Sequence, residues 1–238
     1  MAALSVTPAR SHSLSGGTLA TDVLRRLRED IITCVHKPGE KLRFEALRGF
    51  YGVSYSTLRE ALSRLASEGL VTTEGQRGFY VSPISEEDLL DIADARVVLE
   101  LECLERAMTR GKADWEANIL AAFHRLDRLE DSMGEELRTT PDWDDLHMQF
   151  HDALVAAAES PTLSELRHLL FERARRYRRI SAIVRKEPRK KSSEHRVMME
   201  AVISRDVQNA KDIMERHIRE VAQNVLHNGL LIGAVKVA

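Results

Sequence analysis

Apolar side chains recur three or four positions apart over residues 18–36, at Leu19, Val23, Leu24, Leu27, Ile31, Ile32 and Val35. This spacing places them on one face of a helix, so the sequence predicts an amphipathic helix here. Pro38 and Gly39, which interrupt helices, end the pattern. The first folded element of the chain is therefore expected to be a helix with one buried face.

Two shorter helices are predicted next, at residues 43–51 and 54–68. Gly52 follows the first and Gly69 follows the second, and glycine readily adopts the left-handed conformation that ends a helix. A glycine turn between two short helices is typical of a helix-turn-helix unit, which presents its second helix at the surface.

A β-hairpin is predicted after the third helix. Residues 70–73 and 78–81 are rich in Val, Thr, Phe and Tyr, and residues 74–77 between them have the composition of a turn with a basic tip. A hairpin in this place forms a wing beside the helix-turn-helix. The sequence up to residue 84 therefore predicts three helices and a β-hairpin wing.

Helical periodicity returns after residue 84. Ser85 is followed by three acidic residues, a pattern that favours the start of a helix. Six further helices are predicted, at residues 86–110, 113–133, 141–158, 161–181, 194–205 and 206–228. The predicted fold class is mainly α, with an N-terminal winged helix-turn-helix followed by an all-α antiparallel helical bundle.

These patterns divide the chain into four parts. The expected domain bounds are a flexible N-terminal arm at residues 1–17, a winged helix-turn-helix domain at 18–84, a helical domain at 85–229 and a C-terminal tail at 230–238. A length of 238 residues is enough for two domains, each with its own core.

Composition excludes several classes of protein. The chain is 43% hydrophobic and 30% charged with a net charge of −2, as expected of a globular protein, and it contains no run of 18 apolar residues that would span a membrane. The first 17 residues lack the apolar segment of a secretion signal. We therefore expect a cytoplasmic protein, in which Cys34 and Cys103 are packing residues.

Small polar and basic side chains cluster around the predicted turn and wing. The start of the third helix can reach base edges in a major groove, and Arg59 there can donate two hydrogen bonds to guanine. The candidate DNA-binding residues are Ser54, Tyr55, Ser56, Thr57 and Arg59 on this helix, Lys41, Arg43 and Arg48 for the DNA backbone, and Gln76, Arg77 and Gly78 on the wing. They predict a double-stranded DNA partner, and association with the nucleoid when DNA is bound.

The same region resembles the DNA-binding domain of the GntR superfamily. The matching segments are residues 38–42, 51–54, 58–62, 65, 68–71 and 77–81. The resemblance implies a transcriptional regulator, with repression relieved by an effector as the default behaviour. The residue after the turn Ser is very often Arg or a similar polar residue in that family, and it is Tyr55 here, so the operator sequence does not carry over. Since one reading helix makes few base contacts, a homodimer on a palindromic operator is expected.

Four histidines are candidates for a metal site. His147 and His151 are four residues apart, which places them on one face of a helix, and His195 and His217 lie on two other predicted helices that could converge inside a bundle. Taken singly, each is more often a surface or core histidine than a ligand. We assign only structural roles to His124 and His168.

Residues 86–228 resemble the FCD ligand-binding domain of the FadR-type branch of the same superfamily. The landmarks lie at residues 88–90, 96, 99–100, 150–151, 194–195, 205–206 and 210–217. Many such domains bind a divalent metal through one Asp and three His. The resemblance places His151, His195 and His217 at the three histidine positions and His147 at the Asp position. An all-imidazole set favours Zn, with Ni or Co as alternatives.

The resemblance also implies an effector, a small organic carboxylate that completes the coordination shell of the metal. Arg96 lies within the landmark segment 96–100 and is the first candidate to clamp the carboxylate, with Arg173, Arg176 and Tyr177 as further effector-binding candidates. A salt bridge at the surface or between helices is an equally good interpretation of each arginine.

Two other classes of function stay open at this point. A metal-dependent hydrolase would use clustered histidines to activate water, but the helix has Met148 and Gln149 where a His-Glu-x-x-His motif needs its glutamate. A helical scaffold that binds no DNA would carry vacant histidines. The sequence favours a regulator without enzymatic activity over both.

Overall fold

The structure is a computed structural model of the chain, and it describes residues 19–133, 140–184 and 193–227. The predicted arm at residues 1–17 and the predicted tail at residues 230–238 lie outside the described residues. Within the described ranges the chain forms nine α-helices and three β-strands. No described helix combines the length and the apolar character needed to cross a membrane.

The helices are α1 Leu19–Ile32, α2 Phe44–Tyr51, α3 Tyr55–Ser67, α4 Glu86–Arg110, α5 Ala113–Met133, α6 Pro141–Val155, α7 Pro161–Val184, α8 Glu194–Ile203 and α9 Val207–His227. The strands are β1 Lys41–Leu42, β2 Val71–Thr73 and β3 Phe79–Val81. Short 3-10 turns lie at Gly75–Arg77 and Ala156–Ala158. This is the predicted fold class, a winged helix-turn-helix followed by helices.

The N-terminal lobe consists of α1, α2, α3 and the sheet. Its core is formed by most of the apolar faces that the periodicity predicts, with Leu27, Leu58, Leu62 and Leu65 fully buried. The prediction is wrong for Leu19 and Val35, which are exposed at the two ends of the predicted first helix. Ser54 caps α3, because its hydroxyl accepts a hydrogen bond from the backbone N–H of Thr57 at 3.3 Å. The turn between α2 and α3 is therefore set by local chemistry.

The wing has three strands instead of the two that the sequence predicts. They are antiparallel in the order β1-β3-β2, and Lys41 of β1 pairs with Tyr80 of β3. A strand of two residues carries too little alternation to be seen in a sequence, and its pairing depends on the hairpin that it joins. The third strand fixes the wing to the segment between α1 and α2.

The C-terminal lobe consists of α4 to α9. Helix α4 packs against α7 and α9, α5 packs against α6, and α8 packs against α9. Leu104, Phe150, Met198 and Met214 lie in the core that these helices share. Thr140 caps α6, which begins with Pro141, and thereby sets the start of the helix that carries two of the histidines.

Helix α7 joins the two lobes. Nη2 of Arg175 donates to both carboxylate oxygens of Glu29 on α1, at 2.6 and 2.8 Å. Nη2 of Arg173 donates to Asp88 at 2.6 Å, and the hydroxyl of Tyr177 donates to the same carboxylate at 2.7 Å. Arg176 donates to the backbone carbonyl of Ser82 in the connecting segment. One helix of the C-terminal lobe thus holds α1 and the connection between the lobes.

Candidate metal centre and DNA-reading surface

The four candidate histidines converge in the C-terminal lobe. His147 and His151 extend from α6, His195 from α8 and His217 from α9, and one ring nitrogen from each lies within 4.8 Å of the other three. All four side chains are buried, with His151 fully inaccessible. We call these residues the histidine cluster.

The spacing within the histidine cluster fits a transition metal. Nε2 of His147 and Nε2 of His151 lie 3.2 Å apart. Two nitrogens bound tetrahedrally to one zinc at the usual Zn–N length are separated by about 3.3 Å. Without an ion, the two nitrogens can share one hydrogen bond, in which one Nε2 carries the proton and the other accepts it. The donor set of four imidazoles therefore fits zinc, nickel or cobalt in its chemistry, and the pair His147 and His151 fits one ion in spacing as well.

Two carboxylates and an aromatic ring lie next to three of the histidines, on the outer side of the histidine cluster. Nδ1 of His217 lies 2.9 Å from Oε2 of Glu194, so its Nε2 is turned towards the other imidazoles. Nδ1 of His195 lies 3.9 Å from Oε1 of Glu130, which also accepts a hydrogen bond from the indole of Trp143 at 3.0 Å. The Trp143 ring stacks on His147 with their centroids 4.4 Å apart. A carboxylate at hydrogen-bonding distance, as Glu194 is for His217, orients a ligating imidazole and increases its basicity, whereas the 3.9 Å between His195 and Glu130 is longer than a hydrogen bond.

Three imidazoles of the histidine cluster have a lowered pKa, which favours their neutral form. Burial lowers the pKa of His147 and of His151 well below the ordinary value of 6.5, and nearby positive groups lower it further. Burial also lowers the pKa of His217, although its contact with Glu194 opposes the shift. Neutral imidazole is the form that binds a metal.

Three arginines lie beside the histidine cluster. Arg96 of α4 and Arg167 of α7 are buried and share Glu100, which lies 2.7 Å from Nε of Arg167 and 3.8 Å from Nη2 of Arg96. Arg178 lies over the ring of Phe171, with its Cζ atom 4.7 Å from the ring centroid. These three guanidiniums could bind an anion next to the histidines.

Sequence reasoning singled out Arg96 but missed Arg167 and Arg178. Residues 173–179 include five arginines, and helical spacing alone does not tell which of them faces the histidine cluster. The contacts of the other predicted effector residues, Arg173, Arg176 and Tyr177, lie at the junction between the lobes, where they bind Asp88, Ser82 and Ser85. As effector ligands these three stay predictions.

The predicted reading helix is presented on the surface of the N-terminal lobe. Tyr55, Ser56 and Arg59 are exposed on the first turns of α3, and Thr57 is partly exposed. The Tyr55 ring stacks on Phe44 at a centroid distance of 4.1 Å, which restricts its orientation. The hydroxyl of Ser54 lies 2.9 Å from those of Ser56 and Thr57, so these three polar side chains form one local network.

The predicted basic residues lie on the same lobe. Lys41, Arg43, Arg48 and Arg77 are exposed, and Lys41 lies over the Tyr80 ring of the wing at 5.5 Å. Gly78 has φ 105° and ψ −160°, a conformation that side-chain-bearing residues rarely adopt. Gln76 lies in the 3-10 turn at the wing tip. Exposed cations around an exposed helix start suit a polyanionic partner.

Comparison with known proteins identifies both lobes. Residues 19–81 match the family of bacterial regulatory proteins of the gntR type, and residues 91–220 match the FCD domain. The chain is 34% identical over 215 residues to the HTH-type transcriptional regulator BphR of Paraburkholderia xenovorans, covering 90% of this chain and 88% of that protein. It is 38% identical over 201 residues to the HTH-type transcriptional repressor GlaR of Escherichia coli, covering 83% of this chain and 91% of that protein.

A solved structure has the same fold. A transcriptional regulator of the GntR type from Rhodococcus sp. RHA1 superposes with a TM-score of 0.69 at 20% sequence identity, covering 89% of this chain and 99% of the other. At that identity the likeness concerns the arrangement of the helices and the wing alone. The relatives named here are regulators of transcription and not enzymes.

Proposed function

This chain belongs to the GntR family of bacterial regulatory proteins and carries an FCD domain, so it is a DNA-binding transcriptional regulator, and we propose that it is a repressor controlled by a small organic carboxylate. In this proposal the winged domain spans residues 18–84 and the effector-binding domain spans residues 85–229. The observation that carries it is the histidine cluster, buried beside arginines whose donors lack partners among the described residues.

DNA recognition is assigned to the start of α3 and to the wing. Arg59 is exposed and free to reach a base edge, while Ser56, Thr57 and Tyr55 lie on the same turns. Ser54 has a positioning role, because its hydroxyl is engaged in capping α3. Lys41, Arg43 and Arg48 would bind phosphates, and Gln76, Arg77 and Gly78 would lie against the sugar-phosphate backbone or the minor groove.

Effector binding is assigned to the histidine cluster and Arg96. The four imidazoles would hold a divalent metal, zinc by preference, and the bound ion would supply a positive charge and would take a carboxylate oxygen as an additional, fifth ligand. Arg96 is 4% exposed, and its Nε has no hydrogen-bond partner among the described residues. A carboxylate oxygen would satisfy that donor and neutralise part of the buried charge.

The route from effector to DNA is assigned to α6 and α7. Asp144 lies one turn before His147 on α6, and its Oδ2 is 3.4 Å from Nε of Arg175. Arg175 in turn binds Glu29 of α1 in the N-terminal lobe. A small shift of α6 on effector binding would therefore change the contact that positions α1.

The proposal is tested by binding of a labelled DNA fragment from the upstream region of its own gene. We expect specific binding that weakens as salt concentration rises and that is released by carboxylates when the protein is loaded with zinc. Release should be lost after chelation or in His195→Ala, while DNA binding without effector is retained. Carboxylate release that persists fully in metal-free protein would overturn the metal part of the proposal.

A further inference from the structure

Two guanidiniums lie together on one aromatic ring next to the histidine cluster. The Cζ atom of Arg96 is 5.2 Å from the ring centroid of Phe171, and that of Arg178 is 4.7 Å from it. Like charges repel, and the charge on Arg96 lowers the affinity of Arg178 for its proton. A pair of this kind is stable only when something nearby compensates the charge.

Little compensation comes from the described residues. Nε and Nη2 of Arg178 and Nε of Arg96 are buried and have no hydrogen-bond partner there. Glu100 lies 3.8 Å from Arg96 but makes its hydrogen bond to Arg167 at 2.7 Å. Buried donors that lack acceptors cost free energy, and a charged donor costs more than a neutral one. These atoms are therefore placed to receive an acceptor from outside the protein.

Arg178 has the poorer compensation of the two. Burial, and to a smaller extent the charge on Arg96, lower its pKa to about 10. Asp144 opposes this shift only through space, since its Oδ2 lies 3.4 Å from Nε of Arg175 and 3.5 Å from Nε of Arg179. Because this acid is shared by two other arginines, the Arg178 guanidinium forms no ion pair of its own with a described carboxylate.

The arginine pair and the histidine cluster border the same ring. The Phe171 centroid lies 5.8 Å from that of His147 and 6.1 Å from that of His151. A small molecule in contact with the histidines can therefore extend to the arginines without leaving the neighbourhood of Phe171. A molecule with an anionic group at each end would place one group at the histidine cluster and the other at the buried donors of the two arginines.

We propose that Arg178, with Arg96, binds a second anionic group of the effector, so that the effector is a dicarboxylate or a similar two-ended dianion. This inference rests on the proposed effector site, because the other end of the molecule occupies the histidine cluster. It predicts the charge of the ligand and assigns Arg178 a role in ligand specificity. Arg173 and Arg176, by contrast, hold the junction between the lobes.

The test measures ligand affinity by calorimetry on the full chain loaded with zinc. The probes are linear dicarboxylates of three to six carbons and the monocarboxylates of the same lengths. We expect the best dicarboxylate to bind at least about tenfold more tightly than its matched monocarboxylate, the contribution of one charge-assisted pair. Equal affinity of the two series for the wild-type protein would overturn the inference without any variant.

Variants locate the second subsite. In Arg178→Met the dicarboxylate should bind no better than the monocarboxylate, whose own affinity stays within about twofold, while Arg178→Lys should retain part of the preference. Arg125→Met, an exposed arginine of α5, is the matched control and should behave as wild type. A preference that survives intact in a folded Arg178→Met protein would overturn the assignment.

The outcomes separate this inference from the proposed function. If monocarboxylates and dicarboxylates release operator DNA at equal concentrations, the inference of a dianionic effector is wrong, while the proposal of a carboxylate-controlled repressor stands. Absence of both binding and DNA release with either series would overturn the carboxylate effector itself. Circular dichroism melting of each variant confirms that lost affinity is not lost folding.

Discussion

The ring of His147 is fixed before any ion is bound. It stacks on Trp143, and its Nε2 faces that of His151 at 3.2 Å. Trp143 is itself held by its hydrogen bond to Glu130, the same carboxylate that lies near His195. Side chains that are packed and hydrogen-bonded in this way lose little entropy on metal binding, which favours affinity.

Metal removal should destabilise the protein. Ligands from α6, α8 and α9 would be cross-linked by one ion, and an ion at a hundredfold excess over its Kd adds about 2.7 kcal/mol to the free energy of unfolding. We expect zinc to raise the melting temperature and a chelator to lower it, with metal content measured by mass spectrometry. His195→Ala should abolish the zinc response. A wild-type protein that binds no zinc and melts at one temperature throughout would contradict this.

The metal-free protein should lose stability in mild acid. The pKa values of His147, His151 and His217 are lowered by burial in the folded chain, whereas unfolded histidine titrates near about 6.5. The unfolded state therefore binds more protons below that pH, so the contribution of these groups is present above pH ~6.5 and is lost as pH falls. Urea unfolding between pH 5 and 8 measures the slope.

A matched pair of variants identifies which histidines cause the pH dependence of the free energy of unfolding. His151→Leu removes a buried imidazole and should flatten the dependence on pH, while His124→Gln removes an exposed one and should leave it unchanged. An identical slope in wild type and in His151→Leu would mean that the histidine cluster is not its source.

Helix α3 and the wing should contribute to DNA binding in different ways. Arg59→Ala should weaken operator binding by about 1–3 kcal/mol and relax the preference at one base pair in each half-site, because a bidentate contact to a base is lost. Lys41→Ala should weaken binding to all sequences alike and lower the salt dependence. Fluorescence anisotropy on operator and random duplexes separates the two effects. Unchanged binding in Arg59→Ala would show that α3 is not the reading helix.

Helix α7 should transmit the effector signal through Arg175. Glu29→Gln keeps the size of the side chain and weakens the contact between α1 and α7. Because coupling free energies between sites are about 1–3 kcal/mol, the effector-induced loss of operator affinity should shrink by fivefold or more. Effector affinity itself should change little. Glu220→Gln, an exposed residue of α9, is the control, and an undiminished response in Glu29→Gln would exclude this route.

The elements differ in how far the sequence predicts them. Gly52, Ser54 and Ser85 act within a few residues, so the end of α2 and the starts of α3 and α4 follow from local chemistry. Helix α1 was predicted to reach residue 36 but ends at Ile32, since Cys34 adopts φ 61° in the turn that leads to the sheet. Cys34 packs against the core of the C-terminal lobe, a tertiary contact that the periodicity of α1 does not contain.

The candidate site is also predicted by sequence only as far as its local spacing allows. The interval from His147 to His151 places both on one helix face, but their approach to His195 and His217 depends on how α6, α8 and α9 pack. The roles of Arg175 and Arg178 could not be separated from sequence, because both lie in one arginine-rich segment of α7. Only the packing of α7 between α1 and α4 assigns Arg175 to the junction and Arg178 to the histidine cluster.

At the scale of the whole molecule, each chain has one predicted reading helix, α3, on its N-terminal lobe. One such helix contacts only a few base pairs, which is too little to distinguish an operator from the rest of a genome. The N-terminal lobes of two chains, held at a fixed distance, would read two half-sites. An effector bound to the C-terminal lobes would then control DNA binding by changing that distance. In the proposed function, the junction contacts of α7 would be the mechanical link between the two lobes.

We therefore predict a homodimer that binds an inverted repeat with half-site centres about 10 base pairs, or one helical turn, apart. Light scattering at concentrations that saturate the operator should give twice the mass of one 26.9 kDa chain. Inserting five base pairs between the half-sites turns them to opposite faces of the duplex and should reduce affinity towards that of a single half-site, whereas inserting ten should restore part of it. A protein that is monomeric at these concentrations, or that binds all three spacings equally, would show that each chain reads DNA independently.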